Sequence, residues 1–226
     1  MKNIVFVIGT RSNQADFHID TMTGQSLKFY NYPFSSADVY YENTKGLPEI
    51  YNDAINKYLD QDIVMVFAHD DIHIMDFFWA NKLYEGLSKF DVVGVAGNKK
   101  RVKNQPSWAF KNMMGEWDDM ENLSGVVGHG KKFPGDSIGI YGPCGEVEIL
   151  DGVLIATTTD LLRREKIKFD SLFKFHFYDM DFCRTCKLHG LKIGTIPLSI
   201  IHGSKGNFAN NSWLNSYKDY LSKWGD

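Results

Sequence analysis

The sequence is short of cysteine, of excess charge and of long apolar runs, and each shortage narrows what the chain can be. Three cysteines among 226 residues cannot all pair within one chain, which excludes a small disulfide-built scaffold. Cys183 and Cys186 form a Cys-x-x-Cys, but no second cysteine pair completes a zinc site and the flanking residues look helical. They read as reduced thiols of a cytosolic protein, so a cytoplasmic location is expected. A net charge of −3 with no long basic run argues against a nucleic-acid partner. The densest basic patch, Lys99-Lys100-Arg101-Val102-Lys103, is short and reads as a solvated loop. No apolar stretch approaches the ~18 residues of a membrane span. The run at residues 4–8, directly after Met1-Lys2-Asn3, is too short for a secretory signal and suits a strand. A soluble protein is expected, one that can still meet a partner at the inner membrane surface. Repeats and low-complexity segments are absent as well.

What is present is a chain that is 43% hydrophobic and 14% aromatic, enough for one substantial core. Apolar runs at 4–8, 35–41, 63–68, 92–96, 146–157 and 192–201 read as strands. Residues 47–59 and 76–90 carry apolar side chains at helical spacing, and 159–166 and 179–189 read as shorter helices. Strands alternating with helices over the first hundred positions predict a parallel βαβ sheet and a Rossmann-like nucleotide-binding half at 1–97. Residues 98–145 are rich in Gly, Pro and Trp with little periodicity, as expected of a lid or binding loop.

Chemistry gathers where predicted strands end. The run 63–68 stops at His69-Asp70-Asp71-Ile72-His73. In open α/β sheets ligands bind at such ends, and adjacent carboxylates there need a cation or donors to neutralise them. Mg²⁺ or Mn²⁺ would accept these oxygens together with phosphate, whereas a capped polar loop is the plainer alternative. Asp151-Gly152 places a carboxylate at a bend that glycine permits. Phe175-His176-Phe177-Tyr178-Asp179-Met180-Asp181 delivers two acids to a helix start beside aromatic walls. One could serve as a general base. Two positions apart on a helix they point in different directions, so the other is left to cap the helix or pair with Arg184. The run 192–201 ends at His202, and the following Gly203-Ser204-Lys205-Gly206 suits a phosphate.

In this order the motifs resemble the GT-A nucleotide-diphospho-sugar transferases, specifically family-2-like glycosyltransferases of the StrF-type branch. The residues carrying the resemblance are Glu42-Asn43, Gly46-Leu47 to Tyr51-Asn52-Asp53-Ala54-Ile55, Phe67-Ala68-His69-Asp70-Asp71-Ile72, Asp151-Gly152, Phe177-Tyr178-Asp179-Met180-Asp181 and His202-Gly203-Ser204. The resemblance implies one α/β GT-A domain over 1–226, with a mixed, mostly parallel central sheet flanked by helices. Its acceptor half would be 98–226, with a flexible insert at about 98–145. It implies a metal-dependent, inverting transfer of a sugar from a nucleotide-diphosphate sugar to a carbohydrate or other hydroxyl acceptor. Asp71 and His202 would hold Mn²⁺ or Mg²⁺. Thr10, Arg11, Glu42, Asn52, His69, Asp70 and Asp151 would meet the donor, and Asp179 or Asp181 would be the base. Two other classes stay open. A nucleotidyltransferase would use the loop Gly9-Thr10-Arg11-Ser12, and a non-catalytic nucleotide-sugar or carbohydrate-binding module would keep the pocket without the chemistry.

Overall fold

The computed structural model describes residues 2–132, 134–204, 206 and 208–225; Lys205, expected in a phosphate loop, lies outside them. In chain order the elements are β1 (Asn3–Gly9), α1 (Phe17–Asp20), α2 (Met22–Phe29), β2 (Ser35–Tyr40), α3 (Leu47–Tyr58), β3 (Ile63–Ala68), β4 (Ile72–Ile74), α4 (Trp79–Leu87), β5 (Val92–Gly94) and β6 (Ala96–Asn98). There follow β7 (Leu123–His129), β8 (Ser137–Gly142), β9 (Glu146–Val147), β10 (Ile149–Leu150), β11 (Leu154–Thr158), α5 (Thr159–Glu165), α6 (Tyr178–Leu188), β12 (Ile193–Thr195), β13 (Ile200–His202) and α7 (Asn211–Trp224).

The larger sheet has the order β2-β1-β3-β11-β5-β12-β9. β1 pairs in parallel with both β2 and β3. All six residues of β3 are buried, as a strand covered on both faces requires. Alternation divides them between two cores. Met65 and Phe67 join Val5, Val7 and the α3 residues Ile50, Tyr51 and Ala54. Val64, Val66 and Ala68 join Ile4, Phe6, Ile8 and the α4 residues Trp79, Ala80 and Leu83. Helices α3 and α4 therefore cover opposite faces of one sheet. β5 runs in the same direction as β3, but β11 lies antiparallel between them, so the sheet is mixed.

The second sheet, β10-β6-β7-β13-β4 with β8 added on β7, was not foreseen as a separate layer. Four of its strands, β4, β6, β10 and β13, continue strands of the first sheet. The predicted strand 92–96 divides at Val95 into β5 and β6, and 192–201 divides at Ile196-Pro197-Leu198-Ser199 into β12 and β13, since proline cannot extend a ladder. The predicted strand 146–157 becomes three pieces, with Asp151-Gly152-Val153 in the last gap. The segment 98–145 is less irregular than its composition suggested, because it holds the antiparallel pair β7–β8. Glycines disguise that pair. Gly125 has φ +104°, and a Cβ there would lie 2.0 Å from the Val95 carbonyl oxygen. Helices α1, α2 and α7 also escaped the pattern reading. α7 is capped by Asn210, which accepts from Trp213 N, and by left-handed Gly225, and it packs Trp213, Tyr217 and Tyr220 into the first core.

Candidate active site

The chain leaves the first sheet at Ala68 and enters the second at Ile72, and His69-Asp70-Asp71 is the turn between them. Thr23 on α2 fixes that turn. Its N–H donates to Asp70 O at 3.1 Å, and its hydroxyl donates to His69 O at 2.7 Å and accepts from Ile72 N at 3.1 Å. Thr10 Oγ1 donates to Asp70 Oδ2 at 2.7 Å. Antiparallel pairing of β4 with β13 sets Ile72 opposite His202, and Gly203 N donates to Asp71 O at 2.8 Å. Backbone register thus brings Asp71 beside His202.

His202 Nε2 lies 3.3 Å from Asp71 Oδ1, and His69 Nδ1 lies 3.9 Å from the same oxygen. The three ligand atoms fall within 4.8 Å of one another, the spacing at which one small cation could touch all three. Asp71 Oδ1 and His202 Nε2 are buried and misaligned for a hydrogen bond, and neither has another partner among the described residues. Such atoms are normally satisfied, so the donor set fits a divalent metal. Burial alone would raise Asp71, but His202 and His69 hold its carboxyl below the usual range. Burial would lower His202, and the Asp71 carboxylate reverses this and raises it. His69 is lowered, chiefly by burial.

The cluster opens into a cavity of about 660 Å³. Its acids are Asp70, Asp71, Asp151 and Asp179, and among the described residues no Lys or Arg lines it. Asp179 Oδ2 accepts from Gly152 N and Oδ1 from Met180 N, both at 2.9 Å. Burial, aided by the charge of Asp151, nevertheless pushes its carboxyl up to about 7. A carboxylate there can take a proton near neutrality. Asp151 N donates to Ala96 O at 2.9 Å and its Oδ1 accepts from Val153 N at 3.0 Å, which fixes the bend before β11.

Aromatic side chains form much of the remaining wall. Trp117 stacks on Tyr141 with ring centroids 5.8 Å apart and 15° between planes. Trp108 meets both rings edge-on, and Trp213 and Phe208 complete the wall. Tyr141 Oη is hydrogen-bonded to His129 Nε2 at 2.9 Å.

Other residues expected here stand elsewhere. Asp181 is 1% exposed and bound by Trp224 Nε1 at 2.9 Å and Lys223 Nζ at 2.6 Å. It ties α6 to α7 and does not line the cavity. Asn52 is spent on the Phe169 backbone, donating to its O at 2.7 Å and accepting from its N at 3.0 Å. Arg11 and Glu42 are exposed and do not line the cavity; Glu42 N donates to Ser12 O at 3.0 Å. Thr10 reaches the site only through Asp70. The sequence reading missed Thr23, His129, the α7 residue Trp213 and the hydrogen bonds of Tyr178. The first three carry no motif, although Trp213, Tyr217 and Tyr220 at helical spacing were a readable sign of α7.

Three comparisons bear on this geometry. A family model described as "Glycosyltransferase like family" matches residues 38–221. No curated protein matches the sequence significantly. Among solved structures, a protein from STIV superposes with a TM-score of 0.50 at 12% identity, over 92% of this chain and 99% of that one. GalNAc-T7, solved with UDP, GalNAc and Mn²⁺, superposes with a TM-score of 0.55 at 10% identity over 98% of this chain, which spans 48% of that one. At such identities the likeness shows the fold, which is GT-A.

Proposed function

The chain belongs to the glycosyltransferase-like family, and from that premise we propose an inverting transfer of a sugar from a nucleotide-diphosphate sugar to a hydroxyl acceptor, with Mn²⁺ or Mg²⁺ held by Asp71, His202 and His69. The observation that carries the reading is the charge balance of the cavity. Four carboxylates line it without a described Lys or Arg. Among the described residues no Lys or Arg meets a diphosphate entering such a site, and a bound divalent cation would supply that charge. When bound, the cation neutralises the charge that collects on the departing nucleotide.

The chain's own residues supply the rest. Asp179, at about 7, removes the acceptor proton as the acceptor oxygen attacks, and a single displacement inverts the anomeric centre. Asp70, held by Thr10, and Asp151 flank the donor. The walls of Trp108, Trp117 and Trp213 offer ring faces to an acceptor and keep water out, which limits donor hydrolysis. In this reading 1–97 binds nucleotide and 98–226 carries the acceptor side. A nucleotidyltransferase is less well supported, since its basic loop after β1 would rest on Arg11, which is exposed. No helix among the described residues is long and apolar enough to cross a membrane.

The test is a thermal-shift titration with nucleoside diphosphates, with and without Mn²⁺. Binding raises the transition temperature by mass action, so stabilisation should need nucleotide and metal together and vanish in Asp71→Ala. Equal stabilisation with metal omitted would sink the cation assignment.

A further inference from the structure

Sugar transfer as written above leaves the phenol of Tyr178 without a task. Its surroundings assign one. A phenol carries a single proton. The Gly152 carbonyl can only accept, and Tyr178 Oη donates to it at 2.9 Å. Toward His69 Nε2, 3.0 Å away, the phenol oxygen is therefore an acceptor, and that nitrogen must carry the N–H. In the neutral ring the lone pair then lies on Nδ1, the atom that faces Asp71 Oδ1. The same peptide serves the other half of the site, because Gly152 N donates to Asp179 Oδ2 at 2.9 Å. There is no room for another residue at this anchor. A Cβ on Gly152 would lie 2.4 Å from Tyr178 Oη and 3.0 Å from Asp179 Cβ.

We infer that Tyr178 is a positioning residue that locks His69 in the tautomer presenting Nδ1 to the Asp71–His202 pair, and that the Gly152 peptide anchors this lock and the Asp179 carboxylate together. The inference deepens the proposed function and rests on it for the purpose of the lock, not for its existence. A hydrogen-bond partner behind a ligating histidine fixes ring orientation and tautomer, and its loss costs about 10–100-fold in metal affinity. A hydroxyl from Tyr178 here takes the place usually filled by a carboxylate or carbonyl. The phenol also brings no further charge to a cavity that already holds Asp70, Asp71, Asp151 and Asp179.

The experiment has two readouts on the full chain. Imidazole ¹⁵N spectra of the metal-free protein, with His69 assigned through His69→Gln, report which ring nitrogen is protonated. Calorimetric titration with Mn²⁺ alone reports affinity. The wild type should show the Nε2–H form. Tyr178→Phe keeps the ring that packs on Tyr51 and Phe169, and it should shift His69 toward the Nδ1–H form and weaken Mn²⁺ by about 10–100-fold. A wild-type His69 protonated on Nδ1 overturns the inference, as does a Tyr178→Phe protein with unchanged tautomer and unchanged affinity. Should that variant not fold, the wild-type spectrum decides alone. If the wild type binds no Mn²⁺, the cation assignment of the proposed function falls, while the lock is still judged by the spectra.

Discussion

Replacing Asp179 by Asn should separate activity from stability in opposite directions. The amide keeps the shape, and its oxygen can still accept from Gly152 N, whose bond to the carboxylate is 2.9 Å. What it loses is the proton acceptor, together with the oxygen that accepts from Met180 N. Loss of a general base slows the chemical step by about 10²–10⁴-fold, equivalent to roughly 3–5 kcal/mol of barrier. Nucleotide affinity should hold, because in the proposed reading Asp179 does not hold the diphosphate. The wild-type carboxyl, raised to about 7, should also impose an acid limb near that pH on the rate, with the ionised form active above it. Stability follows the same proton. The folded state binds it more tightly than the unfolded chain, so between about pH 4 and 7 the native form carries more proton. The stability this confers is fully present below the unfolded value and is lost as pH rises through 7. The upper bound of that loss is about 4 kcal/mol. Asp179→Asn cannot ionise and escapes it, so its advantage in thermal midpoint over the wild type should be largest at pH 8 and should shrink steadily as pH falls toward 4. Turnover of a verified acceptor, followed by nucleotide release at several pH values, is the assay. Near-wild-type turnover by Asp179→Asn, or an acid limb that persists in it, would refute the argument.

Asp181→Asn should do the reverse: weaken the fold by breaking the pairing with Lys223 at 2.6 Å, and leave turnover per folded molecule intact, as melting and rate measurements would show. Gly152→Ala should lower Mn²⁺ affinity and turnover together, because its Cβ would displace both Tyr178 and Asp179, with an overpacking cost of about 1–3 kcal/mol in denaturant melts. Trp117→Ala removes a ring stacked on Tyr141; the acceptor KM should rise about tenfold, the effect of roughly 1.4 kcal/mol, with nucleotide-induced thermal shifts unchanged. In hydrogen exchange, amides of 98–145 outside the β7–β8 pair should exchange fastest in the free protein and slow when nucleotide diphosphate and Mn²⁺ are added, if this segment closes over donor.

The first half of the fold could be read because its signals are local. Unbroken apolar runs in β1 and β3 had only to be counted, and the helical spacing of 47–59 and 76–90 named the helices that cover them. The second sheet was hidden, since its strands are two to seven residues long and β4, β6, β10 and β13 follow directly on strands of the first sheet. The turn His69-Asp70-Asp71 announced itself through charges stranded after an apolar run. The choice between Asp179 and Asp181 could not be read locally. It depends on Trp224 Nε1, a hydrogen bond spanning 43 positions, at the end of a helix the pattern reading did not assign. Asn52 misled for a similar reason: its partner, the Phe169 backbone, lies 117 positions away. The task of Tyr178 depends on the Gly152 carbonyl, 26 positions upstream, an atom without a side chain to betray it.

Several stretches of chain begin in one sheet and finish in the other, among them β3 into β4, β5 into β6, β9 into β10, β10 into β11, and β12 into β13. Shared strands of this kind act as stitches. Neither layer can peel away while the other stays whole, because every stitch would have to be drawn out of both. Binding sites are commonly carried on segments that open by themselves at small cost. His69 and Asp71 instead lie within one stitch and His202 at the end of another, so fraying at this spot would amount to unravelling the whole fabric. His69, Asp71 and His202 are tied to the unfolding of both layers, and any movement is left to the stretches that no stitch crosses.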